Sequence, residues 1–149
     1  MKKFIFTSAI VVLILMFCDQ NIYAQSDKPY SEGPLWQVQF IRTKPGMTDL
    51  YLKNLSDGWI KEMKAAKDAG YIMDYKVFEA PPASENDWDL MLMYEIKNYA
   101  MLDGATEKMD ALSKKVFGGD DNTMHTQAIS RNDLRVLQGG RLTQELNFK

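Results

Sequence analysis

Cysteine and histidine are almost absent from this chain of 149 residues, which contains one of each, Cys18 and His125. Cys18 lies in an N-terminal segment that we expect to be removed, so the remaining chain would hold neither a disulfide bond nor a reactive thiol. A single histidine excludes a metal cage built from several histidines of one chain. We therefore predict no metal site.

Several motifs that carry common chemistry are also missing. The sequence has no glycine-rich phosphate loop, no paired-cysteine site and no G-x-S-x-G nucleophile elbow, which argues against nucleotide chemistry, zinc sites and serine hydrolysis. Its 18 basic residues are outnumbered by 20 acidic residues, whereas a nucleic-acid-binding protein needs a basic surface. We expect no nucleic-acid partner and predict no cofactor.

The longest apolar run, from Phe4 to Phe17, is too short for a comfortable membrane span, since a spanning helix needs roughly 20 residues. Lys2 and Lys3 precede this run, and Ala24 follows a short polar stretch. The pattern is typical of a secretory signal peptide that is cleaved after Ala24. An uncleaved N-terminal anchor is the alternative interpretation.

These features divide the chain into three parts. Residues 1–24 are the predicted signal peptide, residues 25–34 a polar, flexible leader, and residues 35–149 a single folded domain. We expect the mature protein to be exported, either to the periplasm or into the medium, and to have no membrane attachment after cleavage.

Two periodicities alternate along the predicted domain. Alternation of apolar and polar residues indicates strands, and apolar residues at steps of three and four indicate helices. The order βαββαβ predicts an α+β fold of the ferredoxin-like kind, with one antiparallel sheet and its helices on one face. The predicted strands are Leu35–Thr43, Tyr71–Ala80, Trp88–Lys97 and Arg141–Phe148, and the predicted helices run from Thr48 to Gly70, from about Asn98 to Phe117 and from about Thr123 to Leu137.

Sorting alternate residues of each strand predicts two sheet faces of different character. A mixed face is typical of a protein interface, and most soluble oligomers are symmetric, so we predict a homodimer formed through the second face. The face expected under the helices is almost wholly apolar and comprises Trp36, Val38, Phe40, Tyr71, Met73, Tyr75, Val77, Leu90, Leu92, Tyr94, Ile96, Leu142, Leu146 and Phe148. The mixed face comprises Leu35, Gln37, Gln39, Ile41, Ile72, Asp74, Lys76, Phe78, Asp89, Met91, Met93, Glu95, Thr143, Glu145 and Asn147.

Three segments carry a resemblance to a known superfamily. They are "FIRTKPGMTDLYLKNLSDGW", "YIMDYKVFEAPPASENDWDLMLMYEIKNYAMLDG" and "GGRLTQELNFK". In pattern and order they resemble the dimeric α+β barrel proteins, and in particular exported bacterial members of that group. The resemblance implies a dimer with a cavity between sheet and helices or inside the barrel. Its members include small monooxygenases, muconolactone isomerase-like enzymes and haem-dependent proteins, so the fold alone does not choose a function.

His125 is a candidate catalytic residue. Near the start of a predicted helix it could serve as a haem axial ligand or as a proton-transfer group near neutral pH. The alternative is a surface histidine near a helix end, because the sequence identifies no partner group for it. We therefore predict no cofactor, and haem is the alternative.

Carboxylates on the mixed face are the other catalytic candidates. Asp74 and Glu95, with Asp89 and Glu145, project from this face, and two that met in a low-dielectric barrel could act as acid and base. The alternative is that they pair with basic neighbours or line a solvated rim.

The candidate ligand-binding residues are basic or aromatic. Arg131 and Arg135 are four residues apart and would share a helix face, where they could bind an anionic ligand. Trp59, Tyr75 and Tyr94 could form the walls of an aromatic pocket. The alternatives are a solvated helix face and ordinary core packing. The methionines Met91, Met93 and Met124 are interpreted as packing residues rather than as a copper site.

We therefore expect an exported homodimer of unassigned activity that binds a small hydrophobic ligand. A monooxygenase or isomerase with little cofactor dependence, acting in the cavity between sheet and helices, is the first alternative. A haem-binding protein that uses His125 is the second.

Overall fold

A computed structural model describes residues 28–119 and 129–149 of the chain. Its four strands form one sheet in the order β2-β3-β1-β4, with β3 antiparallel to both β1 and β2. The order of elements and the sheet topology confirm the predicted ferredoxin-like α+β fold. The elements are β1 (Tyr30–Thr43), α1 (Thr48–Leu55), a π-helical turn (Ser56–Ile60), α2 (Lys61–Asp68), β2 (Asp74–Glu79), β3 (Leu90–Ile96), a 3₁₀ turn (Tyr99–Leu102), α3 (Ala105–Phe117) and β4 (Arg135–Phe148).

The chain divides into two compact units. The larger is Glu32–Leu146, and the smaller combines Met1–Ser31 with Asn147–Lys149. In the described part of the smaller unit, the amide of Lys149 donates a 3.0 Å hydrogen bond to the carbonyl of Pro29. The rings of Tyr30 and Phe148 lie 5.9 Å apart there.

The N-terminal half of the larger unit follows the predicted order with shifted boundaries. β1 begins at Tyr30, so residues 30–34 lie in a strand rather than in the predicted leader. The predicted single helix from Thr48 to Gly70 is interrupted by the π-helical turn at Ser56–Ile60. Gly70 follows it with a φ of 73°, as expected for a left-handed residue after a helix.

The C-terminal part differs more from the prediction. Residues 129–134 are helical, but β4 begins at Arg135, six residues before the predicted start, and the sequence Gln138–Gly139–Gly140 lies inside the strand instead of ending a helix. Gly139 has a φ of 126°. A Cβ atom at Gly140 would lie 2.9 Å from the carbonyl oxygen of Val38. Gly140 therefore permits a close approach of β4 to β1, and Gly139 permits a backbone conformation that other residues rarely adopt.

The assignment of the two faces of β1 was wrong. Leu35 pairs with Ile96 and Ile41 pairs with Leu90, and all four are buried. Directly paired residues of an antiparallel sheet project to the same side, so Leu35 and Ile41 lie on the helix-covered face. The predicted core residues of this strand, Trp36, Val38 and Phe40, are opposite Glu95, Met93 and Met91 and lie on the other face.

The hydrophobic core lies between the helices and the corrected sheet face. Ile41, Leu90 and Leu92 pack with Tyr51 and Leu55 of α1. A second cluster joins Met63 and Ala66 of α2 to Ile72, with Tyr75, Tyr94, Met109 and Leu112 packed against it. Ile72 was predicted on the mixed face, but it precedes β2, where strand alternation does not apply.

Strand β4 contributes less to the core than predicted. Leu142 and Leu146 were expected beneath the helices, yet they are 38% and 44% exposed. Phe148, in the smaller unit, is 74% exposed. β4 lies at one edge of the sheet.

Among the described residues, no helix has the length and apolar character needed to cross a membrane.

Candidate ligand-binding site

A polar cavity lies between the sheet and the helix layer, and we call it the arginine cavity. Its volume is about 190 Å³. Seven helical or strand elements contribute to its wall, so tertiary folding alone brings these residues together. The lining residues are Gln39, Tyr51, Asn54, Leu55, Trp59, Glu62, Leu92, Arg131 and Arg135.

One long helical segment supplies most of the wall. Tyr51, Leu55 and Trp59 recur at steps of four and therefore point to one side of the helix. The π-helical turn at Ser56–Ile60 contains Trp59, and such turns insert an extra residue into a helix, frequently at functional sites. The Trp59 ring meets the Tyr75 ring edge-on at 5.9 Å and 88°, an arrangement that holds the indole in place.

Tyr51 and Arg135 form a buried polar pair at the base of the cavity. Tyr51 is fully buried, and Arg135 Nη1 donates a 2.7 Å hydrogen bond to its hydroxyl oxygen. The guanidinium carbon lies 5.4 Å from the centre of the Tyr51 ring, within the range of a cation–π contact. Burial raises the pKa of Tyr51, although the positive charge of Arg135 opposes the increase. The phenol therefore keeps its proton at neutral pH.

The second arginine lies beside the π-helical turn. A Cβ atom at Gly58 would lie 4.0 Å from Arg131 Nη1, so the guanidinium lies against the backbone of the turn. Burial lowers the pKa of Arg131, and the nearby charge of Arg135 lowers it further. Arginine nevertheless remains charged in proteins. The cavity thus holds two like charges in a partly desolvated setting.

Glu62 is the acidic residue among the described residues that line this cavity. It accepts a hydrogen bond from the hydroxyl of Ser113 on α3. The negative charge of Glu62 favours the protonated form of Arg131. Two arginines against one glutamate leave the lining positively charged, which favours an anion over a neutral molecule or a cation.

A second, apolar cavity of about 90 Å³ lies beside α3, and we call it the methionine groove. Lys108 is its charged residue, and its ammonium group donates a 3.1 Å hydrogen bond to the carbonyl of Asp103. Both cavities are smaller than typical ligand pockets of roughly 300–1,000 Å³, and the groove is the smaller of the two. Its lining residues are Met63, Tyr71, Ile72, Tyr94, Ile96, Met101, Leu102, Ala105, Lys108 and Met109.

The structure brings together three of the five predicted ligand-binding residues. Trp59, Arg131 and Arg135 line the arginine cavity. The ring of Tyr75 contacts the ring of Trp59 but does not line the arginine cavity. Tyr94 lines the methionine groove. Burial, followed by the charge of Glu62, raises the pKa of Tyr94. Arg141, the next arginine along the chain, is exposed on β4 and lines neither cavity.

The candidate catalytic carboxylates lie elsewhere. Asp74 and Glu95 are directly paired across β2 and β3 and line neither cavity. Asp74 forms a 2.8 Å ion pair with Lys67, and this hydrogen bond lowers the pKa of Asp74. A depressed pKa does not suit a proton donor at neutral pH.

Asp89 has a structural role at the end of β1. Its carboxylate accepts hydrogen bonds of 2.9 and 3.1 Å from the amide of Thr43. It also accepts one from the Thr43 hydroxyl. These bonds fix the turn that leads from β1 into α1.

His125 and Met124 lie outside the described residues, so the haem hypothesis stays a prediction. Within residues 28–119 and 129–149, no three histidine, cysteine, aspartate or glutamate side chains are grouped so that they could hold a metal ion.

Sequence reasoning missed four lining residues with polar side chains, namely Gln39, Tyr51, Asn54 and Glu62. Gln39 was missed because the two faces of β1 were exchanged. Tyr51 stands four residues before Leu55 in the apolar stripe of α1, and this spacing is the signal that could have identified it.

No known protein-family model matches the chain, and no curated protein matches it. Among solved structures, the chain is similar to a dimeric ferredoxin-like protein from an uncultured marine organism. The sequences are 11% identical, the TM-score is 0.47, and the match covers 80% of this chain and 89% of that one.

Proposed function

We propose that this protein binds a small molecule in the arginine cavity. The observation that carries the proposal is the convergence of Arg131, Arg135, Tyr51 and Trp59 on one cavity of about 190 Å³. Two positively charged side chains, a buried phenol and an indole ring offer polar and apolar contacts to the same ligand. Convergent polar groups in a largely apolar recess are typical of ligand sites.

The arrangement of the arginines supports binding better than a purely structural role. Arg135 Nε is buried and has no hydrogen-bond partner among the described residues, although buried polar atoms are normally satisfied. Two adjacent guanidinium groups also repel each other. Both features destabilise the empty protein, and both are relieved when a ligand accepts hydrogen bonds inside the cavity.

The ligand proposed here is more polar than the hydrophobic molecule expected from the sequence. The apolar methionine groove, at about 90 Å³, is the smaller of the two cavities, and the arginine cavity has the more varied lining. A monooxygenase or isomerase would use the same arginine cavity, with Tyr51 as the buried proton-bearing group nearest to a substrate. Asp74 and Glu95 would take no part in that chemistry.

Blocking the cavity tests the proposal. Asn54 lines it, while the neighbouring Lys53 is exposed on the same helix. Asn54→Trp should fill the cavity, and Lys53→Trp should add the same ring outside it. Native mass spectrometry of protein purified from its own compartment should then show one small molecule per chain in the wild type and in Lys53→Trp, and none in Asn54→Trp. A wild type that carries no small molecule, or an Asn54→Trp variant that retains it, contradicts the proposal.

We also propose that the protein acts as a homodimer through its outer sheet face, as in a dimeric α+β barrel. The corrected position of β1 makes this face more apolar than predicted, since it now carries Trp36 and Phe40 beside Met91 and Met93. Val38 lies on the same face but is only 7% exposed in the single chain. Phe78 of β2 adds a side chain that is 45% exposed. Lys76, placed 4.9 Å above the Trp36 ring, and Glu145, bonded to the Trp36 indole, supply polar groups beside the apolar residues.

Light scattering coupled to gel filtration tests the dimer. Wild-type protein should elute as a dimer at micromolar concentration, and Met91→Lys combined with Met93→Lys should give a monomer or an aggregate. Met73→Lys is a control, because Met73 precedes β2 and is already 48% exposed. A monomeric wild type contradicts the proposed interface.

Export is the last part of the proposal, and it rests on the N-terminal sequence pattern. Intact-mass measurement of protein from the periplasm or medium should give a chain that begins at Gln25. Full-length protein retained in the membrane fraction would instead support the uncleaved anchor.

A further inference from the structure

The hydrogen-bonding edges of Arg135 limit which ligand the arginine cavity can take. A guanidinium group donates in a planar fork with two edges suited to carboxylates. Nη1 of Arg135 is engaged with the hydroxyl oxygen of Tyr51, whereas the buried Nε has no partner among the described residues. The edge that contains Nε is therefore oriented by the Tyr51 contact and still able to donate.

The hydroxyl group of Tyr51 supplies a second type of hydrogen-bond donor. Its oxygen accepts from Arg135, so its own hydroxyl proton is available for another acceptor. Because burial raises the pKa of Tyr51, this proton stays in place at neutral pH. An oxygen atom held by Arg135 therefore has a neutral O–H donor close by.

Charge balance favours a ligand with one negative charge. Arg131 and Arg135 contribute two positive charges, and Glu62 contributes one negative charge to the same lining. One additional negative charge neutralises the cavity. A dianion would leave it negative, and Glu62 would repel the excess charge.

The uncharged part of the lining determines the rest of the ligand. Leu55, Trp59 and Leu92 face the cavity, and Leu92 is 2% exposed. A cavity of about 150 Å³ can hold benzene, so a cavity of about 190 Å³ has room for a ring or a short chain with a carboxylate. The indole of Trp59 offers a flat surface for such a ring.

We propose that the arginine cavity selects small monocarboxylates with an aromatic or short aliphatic body. The carboxylate binds the Nε edge of Arg135, the guanidinium of Arg131 and the hydroxyl of Tyr51, and the body contacts Trp59, Leu55 and Leu92. This assignment rests on the proposed small-molecule binding and narrows it to one chemical class.

Calorimetric titration of the purified mature protein tests the assignment without requiring any variant. Benzoate and hexanoate are the carboxylate probes, benzamide and hexanamide are their neutral counterparts, and inorganic phosphate is the alternative anion. We expect at least one carboxylate to bind with one site per chain. Its amide should bind about tenfold or more weakly, as expected for the loss of hydrogen bonds to a charged group, and phosphate should not compete at equal concentration.

Variants then assign the binding to the named residues. Arg131→Gln should weaken carboxylate binding about tenfold or more and leave amide binding nearly unchanged. Arg141→Gln is the matched control, since Arg141 is exposed and lines neither cavity, and it should bind like the wild type. Arg131 is chosen over Arg135 because Arg135 is bonded to the buried Tyr51, and circular dichroism should verify that each variant is folded.

The outcomes separate this assignment from the broader proposal. An amide that binds as tightly as its carboxylate, or phosphate that displaces the carboxylate, overturns the monocarboxylate assignment. Carboxylate binding that Arg131→Gln and Arg141→Gln weaken equally also overturns it. If no carboxylate binds while native mass spectrometry still shows a molecule that Asn54→Trp excludes, the assignment fails and small-molecule binding stands. If no carboxylate binds and the native protein also carries no such molecule, small-molecule binding fails as well.

Discussion

Replacing Tyr51 by phenylalanine should destabilise the protein because it removes the acceptor for Arg135. Tyr51 is fully buried, and its hydroxyl oxygen receives the 2.7 Å hydrogen bond from Arg135 Nη1. The ring and its contact with the guanidinium are retained in Tyr51→Phe, so the change isolates the hydrogen bond. With Nε already lacking a partner among the described residues, the guanidinium would have a second unsatisfied buried donor.

Hydrogen bonds to charged groups contribute about 1.5–3 kcal/mol to stability, and we expect Tyr51→Phe to lower the free energy of unfolding by that amount. For a mature chain of this size, the loss corresponds to a decrease in Tm of roughly 6–11 °C. Urea unfolding of ligand-free protein, followed by circular dichroism, measures the change directly.

A comparison with the double variant Tyr51→Phe/Arg135→Met makes the prediction specific. Replacing both partners of a hydrogen bond by apolar groups of similar shape can be nearly neutral, so we expect the double variant to change the free energy of unfolding by less than about 1 kcal/mol. The double variant should be more stable than Tyr51→Phe alone, because the unsatisfied guanidinium is gone.

A double variant that loses as much stability as Tyr51→Phe, or more, would contradict this prediction. Arg135 would then be a structural support for the helix layer, and its unpartnered Nε would carry no functional meaning. Equal stability of Tyr51→Phe and wild type would show that the hydrogen bond contributes nothing in solution.

Three further predictions concern the framework around the site. Leu92→Ala should lower the free energy of unfolding by about 2–5 kcal/mol, since Leu92 is 2% exposed in the core, and a loss below 1 kcal/mol in urea unfolding would contradict its core position. Gly140→Ala should destabilise the protein by about 1–3 kcal/mol through a clash with the Val38 carbonyl; unchanged stability would show that β4 does not approach β1 this closely. The Lys67 hydrogen bond lowers the pKa of Asp74 from 3.8, so its stabilising effect is present above that value and is lost as the pH falls below it. Asp74→Asn should therefore reduce the acid sensitivity of unfolding below pH 3.8, and acid titration curves that coincide with wild type would contradict the ion pair.

Much of the fold could be predicted because local periodicity is strong in several elements. β2 and β3 alternate cleanly around Tyr75, Val77 and Leu92, and their core face was assigned correctly. α1 and α2 carry a continuous apolar stripe from Leu52 to Ala66. Gly104 has a φ of 66°, a left-handed conformation that glycine adopts readily, and α3 begins after it.

The alternation of apolar and polar residues could not identify the core face of a strand that has apolar residues on both faces. β1 has Leu35 and Ile41 on one side and Trp36, Val38 and Phe40 on the other, and the larger side chains suggested the wrong core face. Shifting a strand by one residue exchanges its two faces, so only the pairing of Ile41 with Leu90 could decide. The exchange also concealed Gln39 as a lining residue of the arginine cavity.

Local sequence patterns were also insufficient to place the boundary between the last helix and β4. The predicted helix continued through Leu137, because Gln138–Gly139–Gly140 was interpreted as its end, but Arg135 is the first residue of β4. Both arginines were nevertheless recognised as a candidate pair, and they do line one cavity. The sequence indicated that the two arginines could bind an anion together. It did not indicate which residues would surround them.

By itself, the sequence determined the order of strands and helices, the ferredoxin-like fold and the pair of arginines, because these depend on residues near one another along the chain. The tertiary structure alone decided which face of β1 meets the helices and which residues surround the arginines. Those choices depend on strand register and on packing between segments distant in sequence. Tyr51 and Arg135 are 84 residues apart, and no local periodicity predicts that one will accept a hydrogen bond from the other.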